Sequence, residues 1–264
     1  MNTNWVRALR TAMVLAQLTA VTGLASAGDL DLAFDPADFS PGTAITNPYW
    51  PLVAGTAFVY SAQSDEGCAV NRVRVTGDTK ADFTGEYSSI VAWEVEDKEW
   101  LDPQCSGNYA LMETTLDWFA QDNAGNVWYL GEDTTAFDHE DECPSAAGAW
   151  EAGKDGAVAG VVMLAAPRVG DSYRQEFFEG EAEDQAKILR VDAPVSIGIG
   201  DFAGCLKTKE WSALEHGAVE HKYYCPEGGG LMLVEELHGK TVRVELTGNT
   251  LPSGTFAEVG VCPH

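Results

Sequence analysis

Apolar positions recur in step with β structure along most of this chain. Val73 and Val75 alternate with Arg72, Arg74 and Thr76, and Val91, Trp93 and Val95 alternate with Ala92, Glu94 and Glu96. Period-two patterning turns one face inward and the other to water, the mark of half-buried antiparallel strands. Residues 111–121 and 126–130 read as an aromatic hairpin, with Trp118 and Ala120 sharing one face and Trp128 and Leu130 another. Asn123-Ala124-Gly125-Asn126 between them tolerates the left-handed backbone of a tight turn. Tyr173, Gln175 and Phe177 fall on one side of a later strand, and the last third predicts five more, near 195–199, 205–211, 219–225, 231–236 and 241–246. Helical periodicity is nearly absent; only 181–190 reads equally well as a helix or a strand entry. The expected fold is all-β: an antiparallel meander forming a curved sheet, partial barrel or sandwich, with little helix.

The alternation fails in three places. Residues 28–47 carry Asp29, Asp31, Asp35 and Asp38 among prolines, and read as a solvated acidic leader with one helical turn at 36–39. Residues 131–150 hold a dense acidic run without an apolar face, and read as a loop or hairpin tip. Residues 150–163 are rich in Gly and Ala and suit a linker-like crossover. No repeat of fixed period occurs, so residues 48–264 are expected to form a single β-rich domain.

Residues 1–27 look like an export signal: Arg7 and Arg10, an apolar run from Thr11 to Leu24, and a small-residue site at Ala25-Ser26-Ala27. Exported chains meet oxidising conditions, and the six cysteines fit three disulfides. Cys205 and Cys225 would face each other across a hairpin turning near 214–217; Cys68, Cys105, Cys143 and Cys262 leave their pairing open. No C-x-x-C pair occurs, which disfavours a zinc ribbon or a redox dithiol. The net charge is −25, and loss of the two signal arginines would make it more negative still. Such a surface repels nucleic acid and anionic membranes and favours cations. No later stretch is apolar enough to span a bilayer as a helix. A small molecule or a cation is the expected partner; the oligomeric state is left open.

Several pieces together resemble a group of uncharacterised bacterial exported β-rich proteins. They are Asn47-Pro-Tyr-Trp-Pro-Leu-Val-Ala-Gly-Thr56, Trp118-Phe-Ala-Gln-Asp122 through Trp128-Tyr-Leu-Gly-Glu-Asp133, Val169-Gly-Asp-Ser-Tyr-Arg-Gln-Glu176, Phe202-Ala-Gly-Cys-Leu-Lys-Thr-Lys-Glu-Trp211 and Glu220-His-Lys-Tyr-Tyr224. The resemblance implies a curved antiparallel sheet or partial barrel and carries no activity.

Nucleophile chemistry finds no support: Gly-x-Ser-x-Gly is missing, and Gly239-Lys240-Thr241 lacks the glycine that a phosphate loop needs five positions earlier. Carboxylates are the better candidates. Glu132-Asp133 ends the aromatic hairpin, and Glu183-Asp184 follows Gly180; both pairs could converge with Glu176 on a hard cation such as calcium, which accepts six to eight oxygens from flexible loops. His221 lies on a predicted strand between Glu220 and Lys222, as a packed histidine, a ligand or a base. Strand neighbours point to opposite faces, so Glu220 and His221 do not easily share one ion. Two readings result. The first is an exported binding or structural protein, calcium-stabilised through loop carboxylates. The alternative is an extracytoplasmic carboxylate-based hydrolase of glycosidase type, which needs two facing acids in an aromatic cleft.

Overall fold

The computed structural model describes residues 29–137, 143–237 and 239–262. The export segment and part of the acidic 131–150 stretch lie outside the described residues. The described residues form fifteen strands: β1 (Ala57–Ser64), β2 (Gly67–Lys80), β3 (Ala92–Asp102), β4 (Asn108–Gln121), β5 (Val127–Ala136), β6 (Trp150–Glu151), β7 (Val158–Met163), β8 (Ser172–Arg174), β9 (Glu176–Phe177), β10 (Asp184–Ile197), β11 (Gly200–Ser212), β12 (Glu220–Cys225), β13 (Gly230–Glu236), β14 (Val242–Gly248) and β15 (Thr255–Phe256). The described residues form three short 3₁₀ turns and no α-helix.

The sheet runs in the order β8-β10-β11-β12-β13-β14-β1-β2-β3-β4-β5-β7-β9. Its two ends, β8 and β9, are separated in sequence by Gln175 alone. One chain segment therefore bonds to β10 on one side and to β7 on the other, and the sheet curls until it nearly closes into a barrel. Gln175 N–H donates to Asp184 O at 2.8 Å across this seam. Gly160 of β7 makes the seam possible, because a Cβ there would overlap the backbone of Gln175 and Glu176. The Gly- and Ala-rich 150–163 stretch is thus not a loose crossover: it contributes β6 and the buried β7, and its small residues let backbones approach.

The leader also differs from a solvated arm. Phe34 packs on Tyr87 and Trp128, and Phe39 on Trp128. Asn123 N–H donates to Asp38 O at 2.7 Å, and Asn47 Nδ2 donates to Gly125 O and Leu164 O. The leader thereby covers the β4–β5 turn. That turn is held from within by Asp122, whose carboxylate accepts from Asn126 N, Asn126 Nδ2 and Trp128 Nε1 at 2.8 to 3.0 Å. Segment 181–190 is a short turn that enters β10 at Asp184, not a helix.

Two apolar clusters reach the sheet's interior, one through Phe119, Tyr129 and Tyr224, the other through Tyr60 with Phe58 and Leu231 packed against it. Three disulfides staple the frame: Cys68–Cys105, Cys143–Cys262 and Cys205–Cys225. Cys205 and Cys225 lie on adjoining strands beside the Leu206–Tyr224 register pair.

Candidate ligand-binding site

Between the two apolar clusters the barrel interior is not filled. A cavity of about 210 Å³ lies there. A barrel of about eight strands is just wide enough for side chains to fill, and wider ones leave space. Trp50 links the aromatic walls, with its ring 5.5 Å from Phe119 and 5.7 Å from Tyr224. Phe119 stacks on Tyr129 at 4.8 Å, and Tyr129 meets Trp150 edge-on. Tyr49, Trp50, Leu52, Phe58 and Leu231 are half-buried and form the outer flank, whereas Gln175, Glu176, Glu210 and Tyr224 are buried and form the inner one.

The inner flank is acidic. Asp97, Asp117, Glu132, Glu176, Asp184 and Glu210 line the cavity, with Lys222 as the cation among them. They reach it because they hold the inward phase of their strands. Val95 and Asp97 follow one another at period two on β3, Asp117 and Phe119 do so on β4, and Lys222 and Tyr224 on β12. Register then places Asp117 opposite Glu132.

Two hydrogen-bonded groups emerge. In the first, the Tyr129 hydroxyl lies 2.6 Å from Asp117 Oδ1 and 2.9 Å from Glu132 Oε2. A phenol has one proton and can donate to one carboxylate only; the other acid must carry a proton of its own and donate it back. Burial, then the Glu176 charge, pushes Glu132 well above the ordinary carboxylate range, and burial pushes Asp117 up to about 7. Both shifts favour the one shared proton that this arrangement requires. Burial and the Asp117 charge also push Asp97 well up. Glu176 accepts from Trp150 Nε1 at 3.0 Å.

In the second group, Glu210 accepts from Thr208 Oγ1, Tyr224 Oη, Lys222 Nζ and Gln175 Nε2. Four donors fix its position. Lys222 lies 3.0 Å from Glu210 and 3.3 Å from Glu220. Burial pulls Lys222 down, but these two charges outweigh it and hold the group above the usual lysine value. Burial raises Glu220 to about 7, Asp184 to about 6 and Glu236 to about 8.

Of the acids singled out from the sequence, Glu132, Glu176 and Asp184 meet at this cavity. Asp133 does not: it is exposed, on the opposite face of β5 from Glu132. Glu183 stays in the loop before β10, accepting from Gly180 N–H at 3.0 Å. His221 faces away from Lys222, with Nδ1 3.8 Å from Glu235; burial and the nearby Lys207 lower its pKa. Among the described residues no group of three or more His, Cys, Asp or Glu is arranged to hold a metal ion. Sequence reasoning passed over Asp97, Asp117, Glu210 and Lys222. The available signal was charge on the apolar phase of a strand: the run Val91-x-Trp93-x-Val95 continues as Asp97 and Glu99.

No family model and no curated protein matches the chain. Among solved structures it is similar to a protein of Parabacteroides distasonis described as a "putative lipoprotein", at 10% identity, covering 75% of this chain and 96% of that one with a TM-score of 0.34. At that level the likeness carries no argument about fold or function.

Proposed function

We propose that this is an exported β-barrel protein that binds one small ligand inside the barrel. The cavity carries the reading. Its volume of about 210 Å³ exceeds the roughly 150 Å³ that admits benzene in an engineered apolar cavity. Aromatic walls with a few placed polar groups are what small-molecule sites use, and the three disulfides suit an oxidising compartment outside the cytoplasm. The test is titration with phenol, a one-ring neutral probe, followed by calorimetry and by tryptophan fluorescence. Saturable one-to-one binding is expected, and Leu231→Trp, which fills the outer flank, should abolish it. Non-saturable uptake, or equal uptake by the variant, would refute the reading.

A carboxylate-based hydrolase is the second reading, favoured by Asp117 and Glu132 flanking one phenol within the cavity. Retaining glycosidases hold their two carboxyl groups about 5–5.5 Å apart. Here, however, the Tyr129 hydroxyl occupies the space between the acids where a sugar carbon would sit. Release of nitrophenol from aryl glycosides, lost in Glu132→Gln, would favour hydrolysis over simple binding.

A further inference from the structure

We propose that the ligand of this cavity is a small organic cation, an ammonium group on an apolar or aromatic body. This rests on the reading of the barrel as a ligand-binding protein and names what it selects. Four observations carry it.

The first is the separation of chemistry within one cavity. Trp50, Phe58 and Leu231 make the outer flank apolar, and the carboxylates sit deeper. A ligand with one charged end and one apolar end fits this axis; a ligand polar all round does not.

The second is the sign of the charge. The lining acids outnumber the single lining ammonium, and Lys222 is already held between Glu210 and Glu220. It is not free to meet an anionic ligand. Buried carboxylates without a compensating cation are costly, and a bound ammonium supplies that missing charge.

The third is an unused acceptor. Asp184 lines the cavity, and its buried Oδ1 has no hydrogen-bond partner. Its side chain is otherwise hydrogen-bonded to Ser212, so Oδ1 is the oxygen left for a donor entering the cavity.

The fourth is the aromatic surround. Trp50, Phe119, Tyr129 and Tyr224 are close to one another around the cavity. Ring faces attract cations, most strongly where water is displaced. A metal ion uses none of this apolar wall, and no metal-type cluster occurs among the described residues.

The experiment compares three probes of matched size on the wild-type protein by calorimetry: benzylamine as the cation, benzyl alcohol as its neutral counterpart, and benzoate as the anion. Benzylamine should bind at least about tenfold more tightly than benzyl alcohol, through charge-assisted hydrogen bonding and ring contact, and benzoate should not bind. Asp184→Asn should lower benzylamine affinity by about tenfold or more and leave benzyl alcohol unchanged, as expected when one charged partner is removed. Equal affinity for amine and alcohol, or a preference for the alcohol, overturns the cation assignment and leaves the ligand-binding reading standing. Failure of all three probes at millimolar concentration overturns both. The wild-type comparison needs no variant, so a folding defect in Asp184→Asn cannot mask the result.

Discussion

The interior acids should make this protein more stable at pH 5 than at pH 8. Glu220 shows the size of the effect. Its carboxyl is held within the barrel, 19% exposed, 3.3 Å from Lys222 and in register with Glu236. Burial raises its pKa from 4.5 to about 7, with Lys222 opposing. Between those two values the folded state binds the proton and the unfolded state has lost it. Stability is therefore fully present below about pH 4.5 and declines until pH passes about 7. At 1.36 kcal/mol per unit, the loss is about 3 kcal/mol from this group alone. For a chain of this size that is roughly 6–12 °C in melting temperature. Asp117, Asp184 and Glu236 act in the same direction, because their values are also raised. His221 acts oppositely: its value is lowered, so it adds stability as pH rises through the ordinary histidine range. Calorimetric melts at constant ionic strength between pH 5 and 8 read the total. Glu220→Gln isolates the group, since glutamine mimics the neutral acid, and should reduce the fall by about 3 kcal/mol. A melting temperature that is flat or rises over this window would refute the argument. So would a Glu220→Gln slope equal to that of wild type.

Gly160→Ala should cost about 3 kcal/mol or more, because its new methyl meets the Gln175 and Glu176 backbone at the seam; hydrogen exchange should show β7 and β9 losing protection first. Asp122→Ala leaves three donors at the β4–β5 turn without their acceptor, two of them side-chain or ring N–H groups, and should cost about 3 kcal/mol in denaturant titration. Replacing Cys205 and Cys225 with serine opens a link of sequence separation 20 between buried positions, for a loss of about 3 kcal/mol by chain entropy, checked by the urea midpoint. If loop carboxylates hold calcium, millimolar calcium should raise the melting temperature and a chelator should reverse the shift; a melting temperature that ignores both would refute that reading.

The fold was legible in the sequence because its rule is local. Alternation at 72–76 and 91–96, and turn chemistry at 122–126, each specify a strand or a hairpin from neighbouring residues alone. Barrel closure was not legible in this way. It depends on 172–177 bonding to two partners far apart in sequence, and on Gly160 admitting a backbone contact that no local pattern announces. The leader misled for a related reason. Its aspartates are exposed as their composition implies, yet Phe34 and Phe39 are enough to dock it on the Tyr87–Trp128 surface. The site was half legible. Adjacent acid pairs drew attention to Glu132 and Asp184, but in a strand or at its entry only one member of such a pair can face inward, so Asp133 and Glu183 fell elsewhere.

The more telling positions are those where the inward phase of a strand is charged. A structural barrel has no use for Asp97, Asp117 or Glu210 at points where valine or leucine would pack and need no partner. Replacing buried ionic groups with apolar side chains is often neutral or stabilising. A desolvation cost is visible in the raised values of Asp97 and Asp117, and Glu210 takes up four donors. Two further donors, Tyr129 and Trp150, are aimed at interior carboxylates, so the surrounding strands are built to hold the acids in place. Sequences break their own patterning mainly where function requires it. A wide barrel, an unfilled interior and a supported row of acids facing an aromatic wall are therefore best explained together, by a positively charged guest that completes what the chain leaves uncompensated.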